Sequence, residues 1–248
     1  MIRIEDIRKS FGRQEVLRGV SLHVAKGEFV ALIGMSGSGK SLLLRHVVNL
    51  IRPDSGRVVV AGQEVATLQA RELEELRSRV GYLFQSGALF DSMTVFDNVA
   101  FPLREKTRLG EATIRQKVMV ELEQVGLKDA GEKFPAQLSG GMLKRVALAR
   151  TLIRNPEILL FDEPTTGLDP IVANSILNLF DSVHRTFNFT GIIVSHEIPE
   201  IFRIVQKVAM LHEGRIVAVE TPEDLRNTKN ALVDQFVNGK TEGPIHYR

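Results

Sequence analysis

The segment EFVALIGMSGSGKSLLLRHVVNLI, residues 28–51, joins a strand pattern to a helix pattern through a glycine-rich turn. Residues 28–33 are apolar nearly throughout, as expected of a strand buried on both faces of a sheet. Residues 40–51 form an apolar stretch that reads as a helix. Between them, GMSGSGKS at 34–41 matches G-x-x-x-x-G-K-[ST] in the strand–turn–helix context that a phosphate-binding loop requires. Gly34, Gly37 and Gly39 let successive N–H groups turn toward an anion, and the helix that follows adds positive potential through its dipole. Lys40 sets a point charge against the β- and γ-phosphates of a nucleotide, and the Ser41 hydroxyl can coordinate Mg²⁺. The phosphate-binding candidates are therefore Gly34, Ser36, Gly37, Ser38, Gly39, Lys40, Ser41 and Leu42. A glycine-rich turn that binds nothing would have no use for the Lys-Ser pair. Leu42 stands where many such loops carry a second hydroxyl, so one hydrogen bond worth ~1 kcal/mol is missing there.

Working outward, strand patterns lie at 2–8, 16–24, 57–62 and 80–84. From 86 to 154 the pattern turns helical; Ile114, Val118, Leu122 and Val125 recur at spacings of three and four within 111–126. Strand patterns return at 157–161, 191–195 and 207–212, with a helical stretch at 170–187. The expectation is an α/β fold over 1–238, with a core from about 1–85 and 155–225 and an inserted helical part over 86–154. The tail 239–248, GKTEGPIHYR, is polar and is expected to be loosely ordered unless a partner holds it.

Composition limits the function classes. The 32 basic and 30 acidic residues of the 248 leave a net charge of +2, which does not mark a nucleic-acid binder. There is no cysteine, so disulfides and thiolate metal sites are excluded. MIRIEDIRKSF at the start has no apolar signal-peptide core, and no apolar run approaches the ~18 residues of a membrane span. A cytoplasmic protein is expected, with any membrane-embedded part supplied by other chains.

Two further segments carry chemistry. ILLFDEP at 158–164 is an apolar strand ending in two acids; Asp162 can hold Mg²⁺ through its water shell, and Glu163 can orient and deprotonate an attacking water. A solvated acid pair in a turn is common by itself, and the phosphate loop is what favours the catalytic reading. LSGGMLKRVALAR at 138–150 places Ser139, Gly140 and Gly141 at the start of a helix, where a hydroxyl and free N–H groups can meet an anion.

LSGGM, 24 residues before Asp162, resembles the signature of the ATP-binding cassette (ABC) family, with Met142 in place of the usual Gln. The other motifs of that family follow in order. Gln85 after VGYLF looks like the Q-loop glutamine, TTGLDP at 165–170 like the D-loop with Asp169 at the dimer seam, and His196 in IIVSHE like the switch histidine. Phe11 sits where the family usually stacks an aromatic on adenine. His23, His46, His184, His212 and His246 fall on no such motif and read as structural or solvated. The resemblance spans roughly residues 1–225. It implies a P-loop NTPase of ABC type, with a RecA-like core, an antiparallel β subdomain and an inserted helical subdomain. It also implies ATP and Mg²⁺ as ligands: Ser41, Gln85 and Asp162 around the metal, Lys40, Glu163 and His196 in catalysis, and Ser139 acting on the nucleotide of the other protomer in a head-to-tail homodimer.

ABC folds serve more than transport, so the cargo must be argued separately. FQSGALFDSMTVFDNVAFPLRE at 84–105 is rich in apolar residues: Leu89, Phe90, Met93, Val95, Phe96, Val99, Phe101 and Leu103. About half are expected to pack inside; the rest can form a groove for a permease helix. With SGGMLKRVALAR, this stretch resembles the ATPases of Mla/MCE phospholipid transport systems. That resemblance implies a permease, an MCE-domain protein, a small STAS-domain subunit, no nucleic acid, and a place on the cytoplasmic face of the inner membrane. The motor of a polar amino-acid or other small-solute importer, and a soluble ATPase for cofactor assembly, are the alternatives.

Overall fold

The computed structural model describes residues 1–196 and 198–245. The chain opens with antiparallel strands β1 (Ile2–Phe11) and β2 (Gln14–Val24), then enters β3 (Phe29–Ile33) and α1 (Lys40–Val47). β4 (Ser55–Val60), β5 (Gln63–Glu64), α2 (Ala70–Ser78) and β6 (Val80–Leu83) follow. Three helices come next: α3 (Val95–Lys106), α4 (Glu111–Gln124) and α5 (Gly140–Leu152). β7 (Ile158–Asp162), α6 (Pro170–Phe187), β8 (Thr190–Val194), β9 (Lys207–His212) and β10 (Arg215–Glu220) return to the core, before α7 (Pro222–Arg226) and α8 (Ala231–Val237).

The strands form two sheets. One is antiparallel, in the order β2-β1-β4-β5; the other runs β10-β9-β3-β8-β7-β6, parallel except for its β10 edge. The uninterrupted apolar runs now have a cause. Phe29, Ala31 and Ile33 of β3 point into one core with the inserted helices, whereas Val30 and Leu32 point into a second core shared with α1 and the antiparallel sheet. β7 divides in the same way, Leu159 and Phe161 against Ile158 and Leu160. A strand with a core on each face has no position for a polar residue until it emerges, and β7 emerges at Asp162.

Several sequence expectations change. The helix read over 40–51 ends at Val47, because Asn49 takes a left-handed φ of 51° and its side chain donates to Val65 O at 3.2 Å. α2, β10 and α8 are elements the sequence patterns do not announce; α2 opens with a capping box between Gln69 and Glu72. The tail expected to be loose is held by its own chain as far as Ile245. Gln235 accepts from Ile245 N at 2.7 Å and donates to Ile245 O at 3.1 Å, and the Ile245 side chain is buried in the first core. Residues 246–248, which include His246, lie outside the described residues. Among the described residues, no helix is long and apolar enough to cross a membrane.

One buried group makes stability depend on pH. Glu121 on α4 is almost fully buried, its Oε2 has no hydrogen-bond partner among the described residues, and burial pushes its carboxyl up to about 7 against the opposing charge of Lys117. The folded state therefore holds this proton more tightly than the unfolded chain, whose carboxyl titrates near 4.5. Its stabilising contribution is complete below that value and is lost as pH rises through about 7. Glu121→Gln is expected to resist urea better than the parent near pH 8, with the gap narrowing toward pH 5. Parallel unfolding midpoints across that range would show that Glu121 is not the group responsible.

Candidate active site

The phosphate loop is shaped by what its glycines approach. At Gly34 (φ 146°) a Cβ would meet Leu211 O at 2.1 Å, and at Gly39 (φ 102°) it would meet Leu17 Cδ2 at 2.8 Å. β9 and β2 thus press on the loop from two sides. Gly37 faces open space. Lys40 turns back under the loop, where its Nζ donates to Gly34 O at 2.9 Å and Met35 O at 2.8 Å. It is buried, and burial lowers its pKa while the charges of Glu163 and Asp162 work in the opposite direction. Ser38 Oγ is buried and has no hydrogen-bond partner among the described residues. A buried cation bonded only to neutral carbonyls, beside an unpaired hydroxyl, fits a polyanion. Leu42 packs its side chain against the second core, so only its backbone faces the loop's chemistry. Ser36 is exposed at the rim.

β7 delivers the carboxylates. Asp162 is buried, with Oδ1 accepting from the Ser41 hydroxyl and Oδ2 from the Tyr82 hydroxyl at 3.0 Å. Hydroxyl and carboxylate oxygens on neighbouring strand and helix ends are a donor set suited to a hard cation such as Mg²⁺. Glu163 leaves the strand with φ 49°, a region uncommon for residues other than glycine, while its N–H donates to Val194 O at 3.1 Å. Such backbone conformations concentrate at functional sites. Here the turn brings Glu163 Oε1 to 2.6 Å from His196 Nε2, and Thr166 Oγ1 lies 3.3 Å from Oε2. The pairing of Asp162 with Val194 across β7 and β8 is what sets these two residues side by side.

The remaining candidates lie apart from that cluster. Ser139 caps α5, its Oγ accepting from Met142 N at 3.4 Å, and it is exposed. A Cβ at Gly141 would meet Val172 Cγ1 at 2.5 Å, so that side chain would have to shift, whereas at Gly140 it would meet Leu168 Cδ2 at a tight 3.1 Å. Asp169 caps α6 through Oδ1, which accepts from Ile171 N and Val172 N. No hydrogen bond among the described residues joins residues 139–141 to the phosphate loop of the same chain. Gln85 is exposed, and its carbonyl accepts from Lys144 Nζ. Phe11 is 52% exposed at the end of β1, with Lys9 Nζ 5.6 Å from its ring.

Residues 17–166 match the family described as ABC transporter. The chain belongs to that family. Two relatives extend the likeness over its whole length. The intermembrane phospholipid transport system ATP-binding protein MlaF of Haemophilus influenzae is 40% identical over 100% of this chain and 94% of its own. MlaF of Escherichia coli K12 is 37% identical, over 100% and 92%. Among solved structures, the dimeric post-hydrolysis state of the ATP-binding cassette MJ0796 with ADP and Pi superposes with a TM-score of 0.81. It is 31% identical and covers 90% of this chain and 99% of that one. The fold is thus the P-loop ABC cassette fold, and the cassette is an ATPase that binds ATP and hydrolyses it to ADP and phosphate.

The structure adds cassette residues that motif reading passed over. Lys144 and Arg150 of α5 are cations that donate to carbonyls: Gln85 O for the first, Gly87 O and Ala88 O at 2.8 Å for the second, whose guanidinium also lies 5.9 Å from the Phe90 ring. Burial lowers the pKa of both. They fasten the segment after β6 to the helix that begins at Ser139. Asn98, fully buried on α3, donates to Phe90 O, Met93 O and Thr94 O and accepts from Phe90 N. An asparagine amid VFDNVAF was the only sequence signal for it. Of the apolar residues in this stretch, Val95, Phe96, Val99 and Leu103 are buried, while Phe90 is 41% exposed and meets Phe101 at a tilt of 55° with centroids 4.8 Å apart. Among the other histidines, His184 clusters with Phe29 and Phe189, with Nε2 3.1 Å from Gly27 O, and His46 is buried with Nδ1 2.6 Å from Leu42 O. His23 is exposed and His212 half-buried.

Proposed function

We propose that this cassette is the motor of a phospholipid transport system, working on the cytoplasmic face of the inner membrane. The observation that carries this reading is the likeness to the MlaF proteins over the entire chain, helical insert and tail included. The working unit is a head-to-tail pair of cassettes. In this reading Gly34, Ser36, Gly37, Ser38, Gly39, Lys40, Ser41 and the Leu42 backbone hold the phosphates of ATP, with Phe11 against adenine. Ser139, Gly140 and Gly141 cap the γ-phosphate bound by the other protomer, and Asp169 lies at the seam. That assignment suits a signature exposed at a helix start and unconnected to its own phosphate loop.

Mg²⁺, held by Ser41, Asp162 and the Gln85 side chain, would neutralise charge on the β- and γ-phosphates. Glu163 orients and deprotonates the attacking water, and His196, hydrogen-bonded to it, fixes the carboxylate and touches the γ-phosphate. The half-exposed apolar residues around Phe84 and Phe90 receive a permease helix, so that closing of the pair moves the membrane subunit. An MCE-domain protein and a STAS-domain subunit complete the assembly; nucleic acid has no part in it.

The test is transport. The cassette should co-purify with its permease, and the complex in liposomes should move a fluorescent phospholipid in an ATP-dependent manner. ATP-dependent uptake of a polar amino acid without lipid movement would overturn the lipid assignment.

A further inference from the structure

Tyr82 is the second-last residue of β6, next to β7 in a parallel pair whose register sets Tyr82 opposite Leu160. Side chains two residues apart on a strand share a face, so Tyr82 and Asp162 lie on the same side of the sheet. The tyrosine hydroxyl donates to Asp162 Oδ2 at 3.0 Å, while Ser41 donates to Oδ1. A carboxylate is an acceptor only, so each oxygen is held by a different element. The Tyr82 ring is itself fixed by stacking on Phe84, with centroids 4.3 Å apart and planes 30° apart, directly before Gln85.

We infer that Tyr82 is a positioning residue that holds Asp162 for metal binding through the distal carboxylate oxygen. The division of labour follows from the two hydroxyls. A hydroxyl keeps its lone pairs while it donates, so Ser41 could ligate a metal and still donate to Oδ1. The Tyr82 bond to Oδ2 would hold the carboxylate plane from the other side, keeping Oδ1 turned toward Ser41 and the metal. Stacking on Phe84 links the orientation of this carboxylate to the strand end that carries Gln85, the other residue assigned to the metal.

This inference rests on the assignment of Asp162 to the metal, and the experiment separates the two. ATP affinity of the full chain is measured with excess Mg²⁺ and again with EDTA, for the parent, Tyr82→Phe and Asp162→Asn. The phenylalanine keeps the ring and its stack and removes only the hydroxyl. Loss of one charge-assisted hydrogen bond that acts through orientation is expected to reduce the Mg²⁺-dependent gain in affinity ~3–10-fold. The affinity in EDTA should stay at the parent value, which a general loss of structure would not allow. Asp162→Asn should lose most of the Mg²⁺-dependent gain, and adding Tyr82→Phe to it should change little further. A parent-like Mg²⁺ gain in Tyr82→Phe, with the gain lost in Asp162→Asn, overturns the role of Tyr82 alone. A parent-like gain in Asp162→Asn overturns the metal assignment and the inference with it.

Discussion

Glu163→Gln is expected to bind ATP with near-parental affinity yet turn over at least ~10²-fold more slowly. The amide cannot take a proton from water, but it keeps the size and the acceptor oxygen that faces His196 Nε2 at 2.6 Å. The left-handed turn at Glu163 is also unaffected, because its N–H to Val194 O bond and the register of β7 with β8 set it. The loss should therefore appear in the chemical step and not in binding. Single-turnover release of phosphate from pre-bound ATP measures that step directly. Near-parental turnover would remove Glu163 from the role of general base and shift attention to His196.

Lys40→Ala is expected to weaken ATP binding ~10–100-fold, the range for hydrogen bonds made by a charged donor. The partners of Lys40 explain why folding should survive. Among the described residues its Nζ is bonded to the carbonyls of Gly34 and Met35 alone, and burial opposes its charge. Removing a buried cation that has no carboxylate in hydrogen-bond contact relieves a desolvation cost. Without nucleotide, the alanine variant should unfold at the same temperature as the parent or higher, while losing the upward shift that ATP gives the parent. Titration calorimetry and thermal unfolding, each with and without ATP, separate the two effects. Undiminished affinity and turnover would refute the phosphate-loop assignment.

Much of the site was legible from contiguous residues. GMSGSGKS is readable because glycine tolerates positive φ, because strand and helix patterns flank it, and because a lysine and a hydroxyl follow at set positions. Asp162 is readable as the residue at which an apolar strand first becomes polar. His196 is different: nothing local distinguishes a histidine after a strand, and only the family motif singles it out. Its contact with Glu163, 33 residues earlier, exists because β7 and β8 are neighbours in the sheet. The anchor of the tail is not legible in its composition, since Ile245, which reaches the core, stands in an otherwise polar stretch.

The sequence by itself determined the phosphate loop, the strand that ends in Asp162 and Glu163, and the helix starts at Ser139 and Asp169. Each is a local conformational preference written in neighbouring residues. Only the tertiary structure decided that Tyr82 reaches Asp162, that Lys144 and Arg150 bind the carbonyls after β6, and that Gln235 secures Ile245. The first of these contacts spans 80 residues and depends on strand order and parallel register. Both are set by how the two cores divide the faces of a single sheet, which no local run of residues encodes.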